Sequence, residues 1–202
     1  MRPLLRSLAL PALFFVAACS QEAPTPAPLT GDWTLDGTAS HLSFVTVKAG
    51  SLAEAHMFSA LKGSVSANGD AKVEIGLASV ATGVDVRDER MRSILFDVAA
   101  YPMATVTAKL DPAAYQGLAI GQTISVTLPA KLNLHGVEGD VEASLAVTRA
   151  GPDKVLVSTV KPIIVDADTF GLGEGVDKLR DLAKLPAITH AVPVTFTFAF
   201  TR

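Results

Sequence analysis

The stretch that decides the fold is T-I-S-V-T-L-P-A-K-L-N-L, residues 123–134. Apolar residues occupy every second position, and mostly polar residues lie between them. A two-residue period is typical of a β-strand with one face toward a core. The 12 residues, at about 3.3 Å each, predict a strand of roughly 40 Å, which is long for a globular protein. Pro129 lies on the polar face and indicates a sheet edge or a bulge.

The same alternation recurs along the chain. Near the C-terminus, Val192, Val194, Phe196, Phe198 and Phe200 alternate with threonines. Residues 135–139, H-G-V-E-G, predict a hairpin turn between two long strands. We predict about eight strands, the others lying around Leu42/Phe44, Leu61/Val65, Val73/Leu77, Val106/Leu110, Val141/Val147 and Val155/Val157.

Two segments have helical spacing instead. Residues 84–98 place Met91, Ile94 and Leu95 on one side, and residues 174–185 form a second apolar stripe that stops before Pro186. Long strands with one-sided apolar area favour closure, because closure removes the exposed sheet edges. The sequence therefore predicts an all-β fold: an antiparallel β-barrel of about eight strands with two short helices.

The N-terminus has the three regions of a secretory signal peptide. Arg2 and Arg6 precede an apolar run, and V-A-A-C, residues 16–19, resembles a bacterial lipobox. We predict a lipoprotein signal peptide over 1–18, a lipidated Cys19 carrying acyl chains such as palmitate, a Pro-rich linker over 19–31, and one domain over 32–202.

Composition excludes several function classes. Without Arg2 and Arg6 the formal net charge is about −5, and no Lys/Arg cluster indicates a nucleic-acid surface. Cys19 is the single cysteine. The domain therefore has no disulfide, cysteine-ligated metal or thiol nucleophile.

No catalytic or metal-binding motif stands out. His41, His56, His135 and His190 show no metal-ligand spacing, and a structural role is expected for each. The mixed charges of residues 85–92 are interpreted as the solvated face of a short helix, and the G-L-G-E-G run at 171–175 as a helix-entry loop. We predict a protein that is not an enzyme. A barrel of this size is either filled by side chains or holds one small apolar ligand, and the periodicity leaves both open.

Four motifs resemble those of YceI-like domains, a family of periplasmic polyisoprenoid-binding proteins. They occur in the family's order and are spread over the whole of residues 32–202. The motifs are W-T-L-D at 33–36 with S-H-L-S-F at 40–44, R-D-E-R-M-R-S-I-L-F-D at 87–97 with Tyr101-Pro102, L-N-L-H-G-V at 132–137, and D-T-F-G-L at 168–172. The chain departs from the family pattern at Arg90, where a histidine is usual, and at Glu138-Gly139, where a polar–proline pair is usual.

The resemblance implies a lipocalin-like barrel with an elongated apolar pocket. Its ligand would be a long isoprenoid-type lipid or a quinone, bound non-covalently without another cofactor. The residues expected to line the pocket are Phe44, Phe58, Ile75, Leu77, Met91, Leu95, Phe96, Tyr101, Val126, Leu128 and Leu134.

The leading hypothesis is a lipid-anchored envelope protein that stores, carries or senses such a lipid. It would face the periplasm, at the outer rather than the inner membrane because Ser20 follows Cys19. Two alternatives are a redox or enzyme accessory that uses His41, His135 or Arg90 at the barrel mouth, and a ligand-independent interaction module. The oligomeric state stays open.

Overall fold

The computed structural model describes residues 27–202. The predictions for the signal peptide, for Cys19 and for the first part of the linker lie outside these described residues. Within residues 27–202, every helix is too short or too polar to span a membrane.

The described chain is mostly sheet, with two short helices. The helices are α1, Asp85–Arg90, which continues into a π-helical turn over Met91–Leu95, and α2, Gly173–Leu182. The strands are β1 Trp33–Leu35, β2 His41–Lys48, β3 Leu52–Phe58, β4 Leu61–Val65, β5 Asp70–Gly76, β6 Val80–Ala81, β7 Met103–Lys109, β8 Thr123–Leu134, β9 Val137–Gly151, β10 Lys154–Thr159, β11 Ile163–Asp166 and β12 Ala191–Thr201.

Eight of these strands close into a ring. Their order is β1-β4-β5-β7-β8-β9-β10-β12, and β12 pairs back onto β1 with every pairing antiparallel. Strands β2, β3, β6 and β11 extend the ring at one end, because β2 and β11 pair with the first half of β12 and β3 pairs with β2 and β6. The prediction of a closed antiparallel barrel of eight strands with two short helices is confirmed.

Strand β12 has an interrupted neighbour on each side. On one side β1 ends before β2 begins, and the Ser40 hydroxyl accepts a hydrogen bond from the Ala199 N–H at 3.0 Å. On the other side β10 ends before β11 begins, and the Thr159 hydroxyl accepts from the Phe196 N–H at 3.3 Å. Two side-chain hydroxyls therefore replace ladder bonds that the breaks remove.

The β8–β9 hairpin confirms a turn within the predicted residues 135–139, but the turn is only two residues long, because residues 137–139 already pair with β8. His135 and Gly136 both have positive φ, 55° and 79°, as the tightest two-residue hairpin turns require. Strand β8 pairs with β9 over its whole length, whereas its pairing with β7 ends at Ala130. Pro129, which has no N–H to donate, therefore lies where β8 has a neighbour on one side only, in agreement with the predicted edge.

One end of the barrel is closed by a buried arginine. Arg149 is 1% exposed, and its guanidinium donates to the carbonyl oxygens of Leu118 at 3.0 Å and Ala27 at 2.6 Å. Leu29 is 7% exposed and belongs to the hydrophobic core. Residues 27–29, which fall in the predicted linker segment, thus pack against the end of the barrel at which β12 ends.

We expect Ser40→Ala to destabilise the fold by about 2 kcal/mol, because it leaves the N–H of a completely buried residue without an acceptor. Chemical denaturation measures this difference. Ser51→Ala, an exposed position in the β2–β3 turn, is the control and should change stability by less than about 0.5 kcal/mol. Equal effects of the two substitutions would contradict the role assigned to Ser40.

Candidate functional site

The barrel encloses a cavity of about 590 Å³ whose walls are almost entirely apolar. It extends from Leu29, at the end where β12 finishes, to Lys48 and Arg90, at the end where β12 begins. Small side chains such as Ala104 and Ala143 form part of the wall and leave this space open. The volume falls within the range of about 300–1,000 Å³ found for small-molecule sites.

Most of the predicted lining residues reach the cavity. Strand alternation turns six of them inward: Phe44, Phe58, Ile75, Val126, Leu128 and Leu134. The other four reach it from the short helical turns after β5 and after α1: Leu77, Met91, Leu95 and Phe96. Tyr101 needs a correction, because it lies in the loop before β7 and packs outside the cavity wall. Its ring contacts the His135 ring, with the centroids 4.3 Å apart.

The residues proposed for chemistry at the mouth do not share a wall. Arg90 lines the cavity, whereas His135 forms the hairpin turn and exposed His41 begins β2 away from the lining. Among residues 27–202, moreover, no cluster of three or more His, Asp or Glu side chains is arranged to hold a metal ion.

Polar side chains gather at the end of the cavity where β12 begins. Thr46, Lys48 and His56 come from the β2–β3 hairpin, and Arg87 and Arg90 come from α1. The β2–β3 register places His56 opposite Phe44, and both side chains belong to the inward-facing set of their strands. We call these five residues, Thr46, Lys48, His56, Arg87 and Arg90, the polar end of the cavity.

Most of the charge at the polar end is paired. Glu54 accepts from Lys48 at 2.8 Å and from Arg87 at 2.7 Å, and these hydrogen bonds, that with Lys48 foremost, hold the pKa of Glu54 below its usual range. Arg87 also donates to the Thr82 hydroxyl at 2.8 Å.

The interpretation of residues 85–92 as a solvated helix face holds for Asp85 and Glu89, which are exposed, and is wrong for Asp88. Asp88 is 9% exposed and accepts from the backbone N–H of Thr82 at 2.9 Å and from the Thr82 hydroxyl. Arg87 and Asp88 therefore bind to β3 and to the preceding loop, rather than to other charges along the helix.

His56 is the most deeply buried member of the polar end, at 5% exposure. Its Nε2 lies 2.9 Å from the Thr46 hydroxyl, and its ring packs against Phe44 with the centroids 5.2 Å apart. Burial, reinforced by the positive charge of Arg87, lowers the pKa of His56 below 6.5. The imidazole is therefore neutral at pH 7.

The model of the YceI-like domain matches residues 33–200 of this chain. The chain belongs to the YceI-like family. A polyisoprenoid-binding domain from Saccharophagus degradans, implicated in plant cell wall breakdown, is 41% identical to it, with a TM-score of 0.82 over 84% of this chain and 97% of that one. BcnA from Burkholderia cenocepacia is 19% identical, with a TM-score of 0.62 over 82% of this chain and 98% of its own, and supports the fold alone. The comparison with curated proteins found no match.

Helix α2 covers part of the cavity of this YceI-like domain. Val176 and Leu179 reach the lining from the apolar stripe predicted in the sequence. The helix begins at Gly173, inside the glycine-rich run that was interpreted as an entry loop. A Cβ at Gly173 would lie 1.9 Å from the Asp168 carboxylate, so glycine is required there for the loop and the helix to meet.

His190 ties this cover to the start of β12, a contact that spacing in the sequence did not indicate. Its Nδ1 lies 2.9 Å from Oδ2 of Asp168, and its Nε2 lies 3.7 Å from Oδ1 of Asp177 on α2. The hydrogen bond to Asp168 raises the pKa of His190 above 6.5 against the opposing effect of burial, and the charges of Asp168, Asp177 and Asp166 add to the increase.

The sequence pattern did not identify several residues of the cavity wall, for related reasons. Thr46, Lys48 and His56 occupy inward positions of β2 and β3 but are polar, so a search for apolar alternation passes over them. Leu29 stands alone among small and proline residues and carries no periodic signal. For His56, the two-residue spacing to Phe58 on the same strand was the one available signal.

We expect His190→Asn to reduce the pH dependence of thermal stability above pH 6.5. Because the folded-state pKa of His190 is raised, its pairing stabilises the fold fully below the unfolded value of 6.5 and is lost as the pH rises through the folded value. The melting-temperature difference between wild type and variant should therefore be largest near pH 6 and shrink toward alkaline pH. Asp168→Asn should also reduce the pH dependence of thermal stability above pH 6.5. A pH profile that is unchanged from wild type in both variants would contradict the pairing.

Proposed function

We propose that this protein binds a long isoprenoid-type lipid or isoprenoid quinone non-covalently inside the barrel and performs no reaction on it. The observation that carries this proposal is the apolar cavity running between the two ends of the barrel. The polyisoprenoid-binding domain of S. degradans, at 41% identity over nearly its whole length, supports the ligand class.

The energetics favour an extended apolar ligand. Each 100 Å² of apolar ligand surface that leaves water contributes about 2.5 kcal/mol. For several isoprene units, the cost of immobilising the chain offsets only part of this gain. The cavity wall selects by shape and apolarity, because most of its exposed surface is apolar. Binding of this kind requires no catalytic residue.

We also propose that the mature protein is held at the membrane of the bacterial envelope by acyl chains on Cys19, facing the periplasm, and at the outer rather than the inner membrane. The support is the signal peptide and lipobox of residues 1–19 together with Ser20. Only seven residues lie between Cys19 and Ala27, which contacts Arg149 at the Leu29 end of the barrel. A chain of that length spans at most about 30 Å, so the anchor would keep the Leu29 end near the lipid surface.

Ala143→Phe should abolish or strongly reduce lipid uptake, because it places an aromatic ring on the inward face of β9 in the middle of the cavity wall. Residues 20–202, purified without detergent and then offered a prenol, an isoprenoid quinone or a fatty acid, can be examined by native mass spectrometry for bound lipid.

Ala146→Phe is the matched control. It makes the same change on the same strand at a position outside the cavity lining, and it should retain uptake. Thermal unfolding of both variants establishes that they are folded. A wild-type barrel that takes up none of the three lipids would refute the proposed function and leave the ligand-independent interaction module as the explanation.

Cys19→Ala should release the protein from the membrane fraction while lipid uptake by the barrel stays intact, since the anchor and the cavity are separate parts of the chain. Fractionation of cells followed by immunoblotting measures the first effect, and native mass spectrometry measures the second. Ser20→Ala, which keeps the cysteine, should leave the protein in the membrane fraction. A Cys19→Ala protein that remains membrane-bound after loss of its leader would overturn the anchor.

A further inference from the structure

The polar end of the cavity contains one group whose hydrogen bonding is incomplete. Among the buried side-chain nitrogen and oxygen atoms of the described residues, Nδ1 of His56 is the one without a hydrogen-bond partner. An unpaired polar atom in an apolar wall is unfavourable, because it has lost water and gained nothing in exchange. Nδ1 is enclosed as well as unpaired, so a hydrogen-bond partner reaches it only when the side chains around it move.

The other ring nitrogen is already engaged. Nε2 of His56 lies 2.9 Å from the Thr46 hydroxyl, and this contact holds the ring in place on the wall. When Nε2 accepts from Thr46, Nδ1 carries the proton and is a donor; when Nε2 donates, Nδ1 is an acceptor. His56 can therefore serve either a carbonyl oxygen or a hydroxyl group.

The surrounding charges nearly balance, three cations against two carboxylates, and the group with the open hydrogen-bonding position, His56, is itself neutral. The two cations nearest to β3, Lys48 and Arg87, share the carboxylate of Glu54 at 2.8 and 2.7 Å. Asp88, which is buried, adds a second negative charge on α1, and Arg90 supplies one further positive charge at the cavity wall. The low pKa of His56 keeps its ring uncharged, so the ring offers a hydrogen bond without an ionic attraction.

We propose that His56 hydrogen-bonds through Nδ1 to a neutral oxygen at the head of the bound lipid, a quinone carbonyl or an alcohol hydroxyl, and thereby orients the ligand. The head lies at the polar end beneath α1, and the apolar tail runs toward Leu29. Since Nδ1 is enclosed, the side chains packed around it, Phe44 among them, rearrange when the head arrives. This proposal rests on lipid binding in the cavity and adds to it the class of head and the direction of the chain.

The test compares four probes with the same tail of three isoprene units: a benzoquinone, an alcohol, a monophosphate and the plain hydrocarbon. Their affinities can be measured by displacement of a fluorescent fatty acid from the cavity. Wild type should bind the quinone, the alcohol or both about five- to tenfold more tightly than the hydrocarbon, the gain expected of one buried hydrogen bond.

His56→Phe should remove this preference and leave hydrocarbon affinity within about twofold, because phenylalanine keeps the ring and its packing but has no nitrogen. His56→Gln, which keeps a polar side chain, should restore part of the preference. His41→Phe makes the same substitution at an exposed position outside the lining and should behave as wild type. Should His56→Phe fail to fold, Thr46→Val supplies the second variant, since loss of the hydroxyl frees the ring and should reduce the preference.

Three other results would each contradict a different part of the proposal. A preference that survives both His56→Phe and Thr46→Val overturns the role of His56 while lipid binding stands. Tighter binding of the monophosphate than of the alcohol by wild type overturns the neutral head. Failure of all four probes to bind wild type contradicts the proposed function itself.

Discussion

The structure depends on β12, the strand through which the barrel closes. It has four neighbours, two along each side, and on both sides the neighbouring strand is broken. A break in a ladder normally leaves N–H groups unpaired, and at this strand the residues beside one break are buried and those beside the other are half-buried. The hydroxyls of Ser40 and Thr159 accept these N–H groups, so the strands can bend away from the ring at one end without opening it.

Closure decides what the interior can be. Once eight strands form a ring, every second residue of each long strand faces the same enclosed space. Where these residues are as small as Ala104 and Ala143, the side chains do not fill the space, and a cavity remains. The extension of the ring by β2, which pairs with β12, and by β3, which pairs with β2, adds Thr46, Lys48 and His56 to the wall. The cavity and this part of its polar end thus depend on one closing strand with two broken partners.

Much of the fold could be predicted because its signals are local. The alternation in β8 and β12, the positive-φ turn at His135-Gly136 and the helical stripe of α2 all depend on residues close in sequence. Six of the residues expected in the lining lie on long strands, where alternation gives the face, whereas Leu77, Met91, Leu95, Phe96 and Tyr101 lie outside strands, where alternation carries no information. Two of the charges of α1 were misinterpreted because their partners, Glu54 and Thr82, lie outside the helix.

The sequence by itself determined the strand pattern, the hairpin and the family, since a two-residue period and short ordered motifs are readable without knowing what lies across the barrel. The tertiary structure alone decided which distant groups meet. Ser40 with Ala199, His190 with Asp168 and Arg149 with Ala27 are separated by at least 22 residues in the chain. Whether His56 is a satisfied core residue or an incomplete one follows from the register of β2 on β3 and from the packing around it. Register is a property of paired strands, and the local pattern of one strand does not contain it.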